Sequence, residues 1–137
     1  MRTLHIGLRV SDLERSLAFY RSVGYTVVGT VEGTPFGNLT MLRLPGDSFV
    51  TIELVHDPER GAVDVGTGIN HLVVQVDSLN LIVADLAAQG IVTEPARPPD
   101  RADEPRTSWL TDPDGYRIEL VQWPAGHAEG ITEADFA

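Results

Sequence analysis

The 137 residues contain no cysteine and no lysine. Without cysteine the chain has no disulfide, no thiolate metal ligand and no thiol nucleophile. Positive charge is scarce: ten arginines stand against twenty Asp and Glu, for a net charge of −10. Such a surface repels phosphate backbones and anionic membranes, so nucleic acid and membrane are excluded as expected partners. No apolar run approaches the roughly 20 residues that a membrane helix needs. Met1-Arg2-Thr3-Leu4-His5 leads directly into an alternating pattern rather than a charged-then-apolar leader, and the expectation is a cytoplasmic protein. Arginine as the only base, beside abundant Ala, Val, Asp and Gly, fits a GC-rich genome.

What is present is a composition of ordinary globular kind, 42% hydrophobic and 22% charged, in a length that suits one domain. The pattern repeats internally. Ile52-Glu53-Leu54-Val55 recurs as Ile118-Glu119-Leu120-Val121, an offset of 66 that also carries His5 onto His71, Gly24 onto Gly90 and Leu44 onto Leu110. Two copies of one module follow, the first over about residues 1–60 and the second over about 67–123, with an acidic tail from 124 to 137. Leu4–Val10 alternates as a half-buried strand. Ser11 or Asp12 caps a helix whose apolar stripe (Leu13, Leu17, Phe19, Tyr20) ends near Gly24. Strands are expected near 26–32, 39–44 and 49–55. In the second copy, strands are expected near 70–76, 91–94, 107–111 and 116–122, with a helix near 79–89 and a proline-rich loop at 95–105. The fold class expected is α+β, βαβββ twice, in a mostly antiparallel sheet.

Side chains alternate across a strand, so position sets the face. Ile52 and Leu54 share the apolar side and Glu53 points away; Ile118 and Leu120 do the same, with Glu119 opposite. His5 and His71 likewise oppose the apolar residues of their strands. Each taken alone reads as a polar residue on an exposed sheet face. Two His and two Glu at one offset read instead as a ligand set that converges if the half-sheets curl together. Imidazoles with carboxylates suit nickel, cobalt, zinc, manganese or iron(II), and disfavour copper(I) and magnesium. Four protein ligands on an octahedral ion leave two positions for water or a bidentate substrate.

Up to about Trp123 the chain resembles the vicinal oxygen chelate superfamily, and within it glyoxalase I. The resemblance rests on Leu4-His5-Ile6-Gly7-Leu8-Arg9-Val10, Asp12-Leu13-Glu14-Arg15-Ser16, Phe19-Tyr20, Ile52-Glu53-Leu54, Gly66-Thr67-Gly68-Ile69-Asn70-His71 and Asp112-Pro113-Asp114-Gly115-Tyr116-Arg117-Ile118-Glu119-Leu120. It implies the glyoxalase/bleomycin resistance/dihydroxybiphenyl dioxygenase fold as a single domain, paired modules cupped around one divalent ion, and His5, Glu53, His71 and Glu119 as its ligands. It implies isomerisation of the hemithioacetal of a thiol and a 2-oxoaldehyde, with Glu119 as the catalytic base and Glu53 as its counterpart. Arg9 matches an arginine that contacts the glutathione carboxylate. Asp57 stands where the family commonly has an Asn that helps hold that group, and an Asp there repels a carboxylate. Arg106, in an acidic loop, is expected to reach the pocket. A homodimer is implied as well. The same superfamily holds epimerases, dioxygenases and bleomycin-resistance-type binding proteins as alternatives.

The remaining candidates read as ordinary. His56 and His127 are expected to be solvated, Asp85 to face solvent, and Trp109 to belong to the core rather than to a pocket wall.

Overall fold

Residues 1–137, described by a computed structural model, divide into two compact units. Unit 1 comprises Met1–Ile69 with Asp112–Gly115, and unit 2 comprises Asn70–Thr111 with Tyr116–Ala137. The break after Ile69 falls near the repeat boundary.

In unit 1 the alternating start forms β1 (Ile6–Arg9), and Asp12 rather than Ser11 caps the following helix α1 (Leu13–Val23). The Asp12 carboxylate accepts from the Arg15 amide at 3.0 Å. The helix buries Ser16, Phe19, Tyr20 and Val23, and ends at Gly24, whose φ of +120° few other residues adopt without strain. Asp12→Ala is expected to lower the stability of the protein by about 1 kcal/mol, read from the urea midpoint, and Asp12→Asn to recover most of it. Next come β2 (Thr26–Thr34), β3 (Gly37–Arg43) and β4 (Ile52–His56). The sheet order is β1-β4-β3-β2, with β1 parallel to β4 and the other pairs antiparallel.

Leu8, Val10, Leu42, Ile52 and Leu54 are buried in this unit, whereas Leu4 and Ile6 remain exposed. The apolar side of β1 is therefore covered only from Leu8 onward. The strand expected to begin at Phe49 begins at Ile52, because Asp47 organises a turn before it. Its carboxylate accepts from the Leu44 amide and the Thr51 hydroxyl, both at 2.8 Å. Asp112–Gly115 completes unit 1. The Tyr20 hydroxyl donates to buried Asp112 at 2.9 Å, and the Ser11 amide donates to both Asp114 oxygens at 3.1 and 3.2 Å.

Unit 2 contains β5 (Leu72–Gln75), α2 (Leu79–Ala88), β6 (Arg106–Thr111) and β7 (Arg117–Gln122), with the sheet order β5-β7-β6. β5 lies parallel to β7 and β6 antiparallel to it. Ser78 caps α2, and the Leu79 amide donates to Gln122 Oε1 at 2.8 Å, tying the start of the helix to the end of β7. Val74, Leu79, Leu86, Leu110, Tyr116, Ile118 and Leu120 form the buried apolar set.

This copy has one strand fewer than the alternation predicts. Residues 91–94 form no regular strand; the Glu94 amide donates to the Trp109 carbonyl at 2.7 Å and the Arg97 amide to that of Thr107 at 2.8 Å. Pro95, Pro98 and Pro99 have no amide hydrogen, so a continuous ladder along β6 cannot form there. The tail, expected to be unpatterned, carries a short 3-10 turn at Glu133–Phe136.

Candidate metal centre

Parallel pairing gives each unit the same local geometry. Gly7 stands opposite Glu53 in the β1–β4 ladder, and Val73 stands opposite Glu119 in the β5–β7 ladder. Each histidine lies two residues before that partner, so its side chain falls on the glutamate's face. Ile52, Leu54, Ile118 and Leu120, which flank the glutamates, are fully buried on the other face.

The outcome is two His–Glu pairs. His5 Nε2 lies 3.3 Å from Glu53 Oε2, and His71 Nε2 lies 3.5 Å from Glu119 Oε2. The imidazoles are 35% and 31% exposed and the carboxylates 16% and 20%, so each pair is half sheltered and still open to a small ligand. No group of three or more His, Asp or Glu side chains able to hold a metal occurs in the chain. Each unit brings together two of the four expected donors.

These pairs fit a divalent cation. Two donors on one ion, with bonds of about 2.1 Å, stand about 3.0–3.4 Å apart between right-angled and tetrahedral geometry. The observed separations are close to that range. His71 Nδ1 lies 2.6 Å from Asn70 Oδ1, and an imidazole that donates there leaves Nε2 free to bind a cation. Its Nε2 lone pair is then directed toward a carboxylate, an arrangement that a cation between them stabilises.

The units differ around this shared core. At Gly7 a side chain is absent, and a Cβ there would stand 3.6 Å from Glu53 Oε1, so the first carboxylate has open space beside it. In unit 2 the place is taken by Val73. Trp109 is opposite Glu119 in the β6–β7 ladder, and its ring meets the His71 ring edge-on, with centroids 5.0 Å apart. Trp109 is thus a wall residue of the His71–Glu119 face and not a core residue. The alternation of its strand carried the signal, since Ser108 and Leu110 on either side are the buried ones.

The expected substrate contacts separate. Arg9 ends β1 on the Glu53 face. Asp57 follows β4 on the same parity; it pairs with Arg60 at 3.4 Å and accepts from the Glu59 amide at 3.0 Å. Arg106 differs from expectation. It shares parity with Ser108 and Leu110, and its guanidinium donates to Asn80 of α2 at 2.9 Å, on the helix side of the sheet. His127 also differs: its ring stacks on Trp123 at 4.1 Å and its Nε2 lies 2.8 Å from Asp135, so it fastens the tail. The Thr132 amide foremost, with the Thr132 hydroxyl and His127, holds the Asp135 carboxyl below its usual range. His56 ends β4, and Asp85 is exposed as expected. No helix is long and apolar enough to cross a membrane.

Comparison with known proteins identifies the family. The family model of the Glyoxalase/Bleomycin resistance protein/Dioxygenase superfamily matches residues 2–120. The chain is 34% identical over 125 residues to a probable lactoylglutathione lyase of Vibrio parahaemolyticus, covering 88% of this chain and 90% of that protein. It is 32% identical over 131 residues to a lactoylglutathione lyase of Neisseria meningitidis, covering 92% and 94%. Among solved structures, the trypanothione-dependent glyoxalase I of Leishmania major is similar with a TM-score of 0.70 and 27% identity, covering 89% of this chain and 86% of that one.

Proposed function

Because the chain belongs to the glyoxalase/bleomycin resistance protein/dioxygenase superfamily, we propose that it is a divalent-metal-dependent, glyoxalase I-like lyase. Its substrate class is the hemithioacetal of a thiol and a 2-oxoaldehyde, and its product a 2-hydroxyacyl thioester. The observation that carries the reading is the pair of His–Glu contacts, 3.3 and 3.5 Å, at equivalent places in the two units.

His5, Glu53, His71 and Glu119 would hold one ion of nickel, cobalt, zinc, manganese or iron(II), two donors coming from each unit. The reading requires the two pairs to share that ion, within one chain or across a homodimer. When bound, the ion supplies Lewis-acid stabilisation of the negative charge that builds on the substrate oxygens. The chain's own residues move the proton. The Glu119 carboxylate takes the C–H proton from the carbon bearing sulfur and hydroxyl, and an enediolate forms on the substrate. The same carboxylic acid returns the proton to the neighbouring carbon and the hydroxyl proton passes to the neighbouring oxygen, so the carbon bearing sulfur becomes the thioester carbonyl and no external oxidant or reductant is consumed. Glu53, beside the space at Gly7, is its counterpart for the opposite carbon face.

In this reading Arg9, at the end of β1 on the Glu53 face, would meet a carboxylate of the thiol. The negative charge of Asp57, partly offset by Arg60, disfavours a second carboxylate close to it. The thiol is therefore tested directly, by supplying methylglyoxal with glutathione, mycothiol or bacillithiol and following thioester formation. Turnover with one of them is the expected result; binding of small molecules without turnover by metal-loaded protein would point to a sequestering function instead. Removal of the metal with a chelator is expected to reduce turnover by at least about 10²-fold, and reloading to restore it. Elemental analysis of the purified protein before and after identifies the ion.

A further inference from the structure

We infer that Trp109 is a positioning residue for His71, holding the imidazole in the orientation from which Nε2 meets Glu119, and that Glu94 and Arg117 hold Trp109 in turn. The first contact is the edge-on meeting of the two rings, with centroids 5.0 Å apart and planes at 75°. That geometry sets an edge of one ring on the face of the other, which the aromatic quadrupole favours over stacking. Asn70 fixes the same imidazole from its other end, through Nδ1 at 2.6 Å. Both ends of the imidazole thus have a neighbour before any ligand arrives.

Behind the indole is a closed clasp. The Arg117 guanidinium lies over the Trp109 ring, 5.1 Å from its centroid, and pairs with Glu94 at 2.8 Å. Glu94 in turn donates its amide to the Trp109 carbonyl at 2.7 Å and accepts from the Ser108 hydroxyl at 2.7 Å. Residue 94 is thereby joined to residue 109 through both backbone and side chain. This accounts for a feature the repeat leaves unexplained: the segment after α2 forms no strand, yet the Glu94 backbone is bonded to the centre of β6 and its carboxylate to Arg117 at the start of β7.

Unit 1 has nothing equivalent. Met41 stands opposite Glu53 where Trp109 stands opposite Glu119, and at the offset of 66 Thr51, Val28 and Leu4 replace Arg117, Glu94 and Asn70. The two half-sites, alike in their donors, are therefore unequal in preparation. The His71–Glu119 pair has an aromatic ring against its imidazole, and the His5–Glu53 pair does not. This rests on the proposed metal site only for its consequence, since the orientation of the ring is a property of unit 2 itself.

Two measurements separate those levels. In the metal-free full-length protein, the His71 ring-proton resonances, assigned by their loss in His71→Gln, are expected to be displaced by the indole ring current. Trp109→Leu is expected to move them to the positions of an unstacked histidine, and Trp109→Phe to keep part of the displacement. Arg117→Gln, at an exposed residue, is expected to shift them in the same direction and serves if the leucine variant does not fold. His71 resonances unchanged in Arg117→Gln and in a folded Trp109→Leu overturn the inference. The second measurement is zinc affinity, by competition with a chromophoric chelator. A loss of about 10–100-fold in Trp109→Leu, largely recovered in Trp109→Phe, is expected for a group that orients a metal ligand. Unchanged affinity in Trp109→Leu also overturns it. Absence of zinc uptake by the unsubstituted protein would defeat the proposed function, and the resonance shifts would still decide the role of Trp109.

Discussion

Glu119→Gln is expected to lower turnover by about 10²–10⁴-fold, the usual contribution of a positioned general base, while metal uptake changes far less. The amide keeps the length of the side chain and one carbonyl oxygen in place of Oε2, but it cannot accept a proton at the working pH. Its surroundings favour the role. Glu119 stands between Val73 and Trp109 in the sheet, so apolar groups rather than competing donors lie on both sides. Glu53→Gln supplies the comparison, because it removes the equivalent carboxylate from the unit with open space at Gly7. A larger loss at 119 than at 53 assigns the proton transfer to unit 2. Full activity in Glu119→Gln excludes it. Reading kcat and metal stoichiometry on the same samples distinguishes a lost base from a lost ligand.

The largest stability effect is expected at Gly37. This residue opens β3 with φ of +108°, and a Cβ there would stand 2.5 Å from the His56 carbonyl oxygen and 2.9 Å from its carbon. The contact is with backbone, so no flexible side chain can give way. Backbone strain and overpacking together place Gly37→Ala about 2–5 kcal/mol below the unsubstituted protein. Urea denaturation followed by far-ultraviolet dichroism measures this. Gly33→Ala, also at positive φ but with nothing within 4 Å, is the control for strain alone and is expected to cost less. Because Gly37 presses on the end of β4, the same change is expected to displace Asp57 from its contact with Arg60.

Much of this was legible in the sequence because the chain states its plan twice. A carboxylate between two apolar residues declares its face in any strand, and Glu53 and Glu119 do so at one offset with a histidine each. The parallel pairing that turns those faces into 3.3 and 3.5 Å contacts is not written in the alternation. It depends on which strands become neighbours. Apolar content suggested a strand at 91–94, and only Glu94 reaches β6 there, while the prolines at 95, 98 and 99 keep the pairing from continuing beyond it. Arg106 and Trp109 were assigned to each other's side of the sheet. Size and polarity suggested a buried indole and a reaching guanidinium, whereas strand parity, the better guide, places them the other way. His127 was unreadable because its partner Asp135 lies in a turn with no periodicity to announce it.

The membership of Asp112–Gly115 in unit 1 bears on how the chain is made. A ribosome that has released Ile69 has delivered most of that unit but not the carboxylates that receive the Tyr20 hydroxyl and the Ser11 amide. Those arrive more than forty residues later, after the whole of β6 has emerged. The early half must therefore wait, incompletely bonded, for a fragment of the late half. A chain cut between the repeats would lack its own final clamp, so the twin segments, however alike in sequence, are not interchangeable as free-standing pieces.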